Sequence, residues 1–384
     1  MYDLIVVGAG PGGSHAATVA LRGGLSVVQV DKASFPRIKP CAGGMTEKSR
    51  NVLQLPIDGM VRYESSVMES NIWGVEDNTF TYSTERILSM VFRPEFDNYL
   101  VEHNRTYPQF IFWGGERVKD IQYCDDAFHV TTDKRVLMGR QLVGADGANG
   151  ITNRIFRVAE IKGRAYALEV NLMKDRARVH TPLVPCIDFC AIREGYGWVF
   201  PKNDHWSVGL YTFARGLPDL KGQLLQYIHA KGFVVEGDPL ATFEAHPIPV
   251  GGYRIHVPRA PFYIVGDAGG FADAILGEGI FYALESGRLA GQTAVSVAQE
   301  KKSHREYYRA LRKSILPDTF LTYHIARVVY GFPEGRAWRL GKRLFQRLIL
   351  QGYVEGKTFT QSLRNAFLLF PKSLLTARME VQKR

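Results

Sequence analysis

A chain of 384 residues, 46% hydrophobic and 22% charged, is long enough for two domains or one elaborated domain around an ample core. No run approaches the roughly 20 apolar residues that span a bilayer. No basic segment precedes the first strand as a cleavable signal requires, and four cysteines give no disulfide framework, so a cytoplasmic chain is expected. The net charge of +10 is unevenly placed: residues 301–384 carry 18 Lys and Arg against 5 Asp and Glu, an excess of 13 that leaves the first 300 residues at −3. That polarity suits an anionic partner at the C-terminal end. Nucleic acid is not expected, because no binding module accompanies the basic residues.

In chain order, Asp3-Leu4-Ile5-Val6-Val7 is a short apolar strand that breaks into Gly8-Ala9-Gly10-Pro11-Gly12-Gly13 and continues as a helix from Ser14 to Leu21. Gly23-Gly24 stops the helix, and Leu25 to Val30 forms a second strand ending in Asp31. Strand, glycine turn, helix and acid-terminated strand together make the dinucleotide fingerprint. Gly8 permits the tight turn around Ala9, Gly10 lets backbone approach a pyrophosphate, and Gly13 lets the helix lie against the strand. The helix N-terminus offers free N–H groups and a positive dipole end to phosphate. Asp31 stands where a ribose hydroxyl needs an acceptor.

A Pro- and Gly-rich loop follows from Phe35 to Met45, then Thr46 caps a short helix from Glu47. Residues 60–92 alternate like strands, and Pro94 opens a helix over Glu95 to Glu102. Strands are expected around Phe110–Phe112, Arg117–Gln122 and Phe128–Thr131, leading to Gln141–Gly150 with its Asp146-Gly147 pair. Residues 164–250 read as mostly β, with a hairpin across Lys202-Asn203-Asp204 and one helix near Leu217 to Ala230. The opening theme then returns: Phe262 to Val265 is an apolar strand ending at Gly266-Asp267, and Gly277-Glu278-Gly279-Ile280 leads into a long helix to about Ala298. Helices with aromatic and basic faces follow from Ser303.

The order of glycine turn, Asp146-Gly147 and Gly266-Asp267 resembles the flavoproteins of the p-hydroxybenzoate hydroxylase fold. The resemblance implies an α/β fold with a Rossmann-type FAD-binding domain, a β-rich substrate domain and C-terminal helices. The corresponding boundaries are 1–60 with 90–160 and 255–300 for the FAD domain, 61–89 with 161–254 for the substrate domain, and 301–384 for the helical region. It also implies FAD as cofactor. Asp267 then binds the ribityl–ribose region, Gly279 and Ile280 point N–H groups at the isoalloxazine carbonyls, and Arg93 reaches the phosphates. Cys41, Ala42, Gly44 and Val118 complete the cofactor set. With no second nucleotide fingerprint, the electron donor is either NAD(P)H bound transiently or a ferredoxin-type protein.

Tyr196-Gly197-Trp198-Val199-Phe200-Pro201 resembles the YxWxFP motif of the geranylgeranyl reductase family, with that family's spacing to Gly209. Pro40-Cys41-Ala42-Gly43-Gly44 and Gly277 to Ile280 resemble the same family. Arg193 stands where that family often has a proline, and Leu210 where a second glycine is common. In a strand, Tyr196, Trp198 and Phe200 share one face, which makes either a cavity wall or core filling. The resemblance favours the wall and adds Pro201 to the substrate pocket. It implies a reductase that saturates double bonds of an isoprenoid chain carried on a lipid, quinone, chlorin or prenyl diphosphate. The chemical step falls to Cys41, Tyr196 and Trp198. The proton would come from Tyr196, Cys41 or a trapped water, and Cys41 could equally be a small residue packing on the ring. The alternatives are a flavin monooxygenase of an apolar or aromatic substrate and a membrane-surface flavoprotein relaying electrons to quinone. Arg336 to Leu350 and Leu363 to Leu375 read as basic amphipathic helices that either lie on an anionic membrane or cover the substrate domain.

Overall fold

Two sheets face each other across one cleft in the computed structural model, which describes residues 1–75, 79–179, 183–331 and 350–365. The opening apolar run becomes the strand Tyr2–Val7, parallel to Val27–Asp31 on one side and Val136–Gly144 on the other. Leu4, Ile5, Val6 and Val7 are all buried, as a central strand covered on both faces demands. Phe110–Gly114 extends the sheet beyond Val27–Asp31, and the hairpin Val118–Cys124 with Ala127–Thr132 extends its other side. Besides Tyr2–Val7, Val136–Gly144 serves two neighbours: its first half pairs antiparallel with Ala127–Thr132, its second half parallel with Phe262–Ile264. This late return sets the Gly266-Asp267 corner beside the Gly8 turn, with Val265 N–H on the Gly144 carbonyl and Ala145 N–H on that of Val7.

The helix Pro11–Arg22 crosses the helix Ile280–Ala298 backbone to backbone. A methyl on Gly287 would sit 2.2 Å from the Gly12 carbonyl oxygen, and one on Gly291 2.7 Å from that of Ala16. His15 Nδ1 donates to the Leu284 carbonyl at 2.8 Å across the same crossing. Burial pushes that imidazole down to about 4, so it is neutral and its ring proton is committed to the second helix.

The second sheet has eight strands in the order Glu244–Val250, Gly163–Met173, His205–Thr212, Gly195–Pro201, Cys186–Phe189, Val61–Ile72, Phe80–Val91 and Gly44–Thr46. The hairpin at residues 202–204 and the strands of 61–91 fall where alternation places them. Three expectations are corrected. Gly44–Thr46, assigned to the FAD domain, is an edge strand of this second sheet, because Gly44 pairs with Met90. Thr46 does precede the helix Glu47–Leu53, yet its hydroxyl donates to Glu278 and gives no side-chain cap. The described part of residues 301–365 is not a separate region: Tyr307, Tyr308 and Leu311 are buried in the first core, and Ala326, Tyr330, Tyr353 and Phe359 in the second.

Smaller shifts follow local chemistry. The Pro94 helix starts at Arg93 and runs to Arg105, and the one near Leu217 starts at Leu220, where the Asp219 side chain caps Gly222 N–H. Arg336 to Ile349, and the Leu363 to Leu375 segment from residue 366 on, lie outside the described residues. Among those described, no helix is long and apolar enough to cross a membrane.

Gly287→Val should lower unfolding free energy by about 1–3 kcal/mol in a denaturant titration, because the helix crossing cannot absorb the added carbons. Gly59→Ala, where an added methyl has nothing within 4 Å, should leave it unchanged and serves as the control.

Candidate active site

The two sheets and the turns above them enclose a cavity of about 600 Å³. One wall is backbone. Gly8 adopts φ +105°, where a methyl would lie 2.2 Å from the Ala145 oxygen, and a methyl on Gly13 would lie 2.2 Å from that of Gly8. The space at Gly10 is open, with only the Arg37 guanidinium 3.7 Å away. The first turn of the helix Pro11–Arg22 has no side-chain cap, and neither has that of Ile280–Ala298, so both N-termini present bare N–H groups. Gly279 and Ile280 line the cavity, as do Ala42, Gly44 and Val118.

Asp31 accepts Ala9 N–H at 2.8 Å and Ala33 N–H at 2.9 Å, so it ties the glycine turn to the next loop while facing the cavity. Ala9 itself does not reach the wall, since its N–H is spent on Asp31. Asp267 faces the cavity, and its carboxylate accepts no hydrogen bond from the described residues. Arg93 lies in the wall, bidentate to Asp97 at 2.7 and 2.8 Å, and Arg37 reaches the same carboxylate at 3.1 Å. Two uncapped helix N-termini, an open glycine and two arginines suit a pyrophosphate, while Asp31 and Asp267 suit sugar or ribityl hydroxyls. The donor set fits FAD.

The floor is the second sheet, and its register lays side chains in rows. One row runs His246, Ala167, Tyr211, Tyr196 across four strands; the next runs Glu169, Gly209, Trp198, Ile187. Tyr196, Trp198 and Phe200 all line the cavity, on one face as period 2 requires. Pro201 is corrected: an odd position of the same strand puts it on the opposite face, outside the cavity. Tyr196 stacks on Tyr211 at 4.9 Å, and the indole of Trp198 covers Gly209 while donating to Ser207 Oγ at 3.1 Å.

The loop from Lys39 to Gly44 runs across these rows. Lys39 meets His246, Cys41 N–H donates to Glu169 at 2.7 Å, and Gly44 abuts Phe200. Cys41 therefore sits in the cavity wall above a carboxylate. Glu169 is 6% exposed and Lys202, close by, 1%. Burial raises the Glu169 carboxyl above its ordinary range and lowers the Lys202 ammonium.

Opposite this loop, residues 274–276 are held by their carbonyls. Tyr211 donates to Ala274 at 2.9 Å, Tyr330 to Ile275 at 2.7 Å, and Tyr196 to Leu276. Burial holds the Tyr196 phenol well above its ordinary value. Asp273 accepts the N–H groups of Ile275 and Leu276 at 2.9 and 2.7 Å. Behind the same loop, buried Lys48 pairs with Glu278 at 2.7 Å among the rings of Phe281 and Tyr353, and it donates to the Lys357 carbonyl at 3.3 Å.

Sequence reasoning missed Lys39, Glu169, Tyr211, His246 and Tyr353. Glu169 carried a signal, since it follows Ala165 and Ala167 at inward positions of an alternating strand. Tyr353 carried none: it lines the cavity from a segment read only as helices with aromatic and basic faces.

A family model described as "FAD binding domain" matches residues 1–193. An uncharacterized protein of Methanosarcina barkeri is 34% identical over 86% of this chain and 84% of its own. The chloroplastic geranylgeranyl diphosphate reductase of Arabidopsis thaliana is 26% identical over 92% and 78%, and the menaquinone reductase of Mycobacterium tuberculosis 30% over 76% of each. Among solved structures, a geranylgeranyl bacteriochlorophyll reductase-like protein of Thermoplasma acidophilum superposes with a TM-score of 0.76 over 95% of both chains at 18% identity. The halogenase PltM superposes at 0.71, over 92% of this chain and 81% of its own, at 15%. At such identities these two likenesses speak for the fold alone.

Burial pushes the Asp273 carboxyl up to about 7, so the folded state keeps a proton that the unfolded chain releases near pH 4. Stability should therefore fall as pH rises from about 4 to about 7, on the order of 1 kcal/mol per unit. The wild-type minus Asp273→Asn difference in unfolding free energy should show that slope and flatten above pH 7.

Proposed function

Since the chain belongs to the geranylgeranyl reductase family of FAD-dependent oxidoreductases, we propose that it saturates carbon–carbon double bonds in the prenyl chain of an isoprenoid substrate. The observation that carries this reading is the floor of Tyr211, Tyr196, Trp198 and Ile187. This apolar strip opens into the same cavity as the glycine turns and uncapped helix ends. FAD in its reduced form supplies the hydride when bound.

The chain's own part is to bind, orient and protonate. The N–H groups after Gly10 and at Gly279 and Ile280 hold the anionic and carbonyl oxygens of the cofactor, and Asp31 and Asp267 hold its hydroxyls. Tyr196, Trp198 and Tyr211 exclude water and keep the prenyl chain flat on the floor. An isolated alkene has no carbonyl to polarise it, so a proton must reach the second carbon nearly together with the hydride. The Tyr196 proton is already given to the Leu276 carbonyl, and burial strengthens the phenol's hold on it. Glu169 stands at the cavity wall beside Cys41, where burial raises its carboxyl above the ordinary range. In this reading it delivers a proton, directly or through one water, and regains it from solvent.

Anaerobic incubation of chemically reduced holoprotein with geranylgeranyl diphosphate or a prenylated quinone, read by mass spectrometry, should give product with two added hydrogens per saturated bond. Absence of any hydrogenated product across prenyl diphosphates, lipids, quinones and chlorins would sink the proposal. A hydroxylated product under oxygen would put the monooxygenase reading in its place.

Glu169→Gln should slow single-turnover alkene reduction by about 100-fold or more while flavin content is kept. In the wild type the rate should decline as pH rises through the raised Glu169 value, and the variant should lose that limb. An unchanged pH profile would assign the proton elsewhere.

A further inference from the structure

A buried ion pair stands at the turn that opens the helix Ile280–Ala298, and nothing in the proposed chemistry uses it. Glu278 immediately precedes Gly279 and Ile280 and belongs to the cavity wall, whereas Lys48 stands behind it, outside the lining. The ammonium lies 2.7 Å from Glu278 Oε2, and the side chains of Lys48 and Glu278 are 6% and 3% exposed. Thr46 donates to the other carboxylate oxygen at 2.9 Å. The rings of Phe281 and Tyr353 stand 4.9 and 5.0 Å from the ammonium and close it off from water.

A pair this deep is a poor device for stability. Pairing offsets only part of the cost of withdrawing both ions from water, and apolar side chains of similar volume would serve as well. The bonds to Thr46 and to the Lys357 carbonyl tie neighbouring segments together, but uncharged groups could make such ties too. What uncharged groups could not supply is a field.

That field has a direction. With Glu278 in the wall and Lys48 behind it, the pair turns its negative end toward the space above Gly279. Asp273 belongs to the same turn, giving its N–H to the Glu278 carbonyl and accepting Gly277 N–H, both at 3.0 Å. Its carboxyl registers the ordering: burial is the main cause that pushes it up to about 7, and the opposing charge of Glu278 outweighs the help from Lys48.

The N–H groups of Gly279 and Ile280 are those assigned above to the isoalloxazine carbonyls, so a bound flavin ring comes within reach of this field. Reduction by two electrons and one proton adds one negative charge to such a ring, and charge placed near it sets how readily that happens. The helix N-terminus favours the added charge, while a carboxylate beside it opposes it. In a cavity shielded from water the opposition is weakly screened.

We propose that Glu278 and Lys48 tune the reduction potential of the bound flavin: the carboxylate lowers it, making the reduced cofactor a stronger hydride donor, and the ammonium limits how far it falls. This assignment rests on the flavin site and not on the isoprenoid substrate, so its failure leaves alkene reduction standing.

The test is the midpoint potential of the FAD-loaded protein, taken by anaerobic titration against reference dyes at about pH 6, where Asp273 keeps its proton. Glu278→Gln leaves Lys48 unopposed, so the potential should rise. Lys48→Met leaves the carboxylate unopposed, so the potential should fall. Each shift should amount to about tenfold or more in the ratio of reduced to oxidised flavin, about 30 mV for a two-electron couple. The double variant removes both charges and should lie between the two single ones. Thr46→Val loosens the same box without changing its charge and should leave the potential where it is. Shifts of the same sign in the two single variants, or no shift in either, overturn the proposal. So does a shift in Thr46→Val as large as that in Glu278→Gln, which would leave the pair a structural role only. If Lys48→Met does not load flavin, the double variant decides: it should stand nearer the wild type than Glu278→Gln does, and an equal or larger rise overturns the proposal.

Discussion

Backbone touches backbone at the centre of this protein, and the rest of the site depends on that contact. Gly13 lies against the Gly8 carbonyl, Gly8 against Ala145, and Gly287 against Gly12, each at a separation that excludes even a methyl. These contacts draw the first strand, the strand ending at Gly144 and the long helix from Ile280 to one point. Two helix N-termini then open onto the same space, and their uncapped N–H groups join the buried Arg93 in making it attractive to anions.

What could be read from the sequence follows from how local each determinant is. The glycine turn, its helix and the strand ending in Asp31 are set by residues adjacent in the chain, and their arrangement was legible in full. So was the shared face of Tyr196, Trp198 and Phe200, because period 2 is a local property of a strand. The partners of that face were not legible. Tyr211 and His246 join it through strand register, which places residues tens of positions apart on one row. Pro201 was misplaced because the motif was carried over as a block, whereas the strand turns every second residue away. Thr46 was misread for a related reason: a buried acid from residue 278 competes for its hydroxyl, and nothing near Thr46 announces it.

The cavity is polarised along its length. At one end Tyr196, Tyr211 and Trp198 offer rings whose polar atoms are already satisfied by carbonyls or by Ser207, so this surface is apolar in effect. At the other end Arg93, Lys202, Glu169 and Asp97 are buried together, at a desolvation cost of several kcal/mol per ion before pairing offsets it. Ion pairs of this kind add little to stability. The loop Lys39–Gly44 is the seam between the two ends, which explains why it contacts both an acid and a phenyl ring within a few residues.

The box around Lys48 bears on how the molecule is made. Its ammonium joins Glu278, the ring of Tyr353 and the carbonyl of Lys357, so a side chain from the first fifty residues waits for groups more than two hundred positions later. During synthesis the nucleotide-binding turns can assemble as soon as the returning strand and its helix have emerged. The chamber beside them also needs Tyr353, so its wall is complete only when the C-terminal part of the described chain has joined the fold.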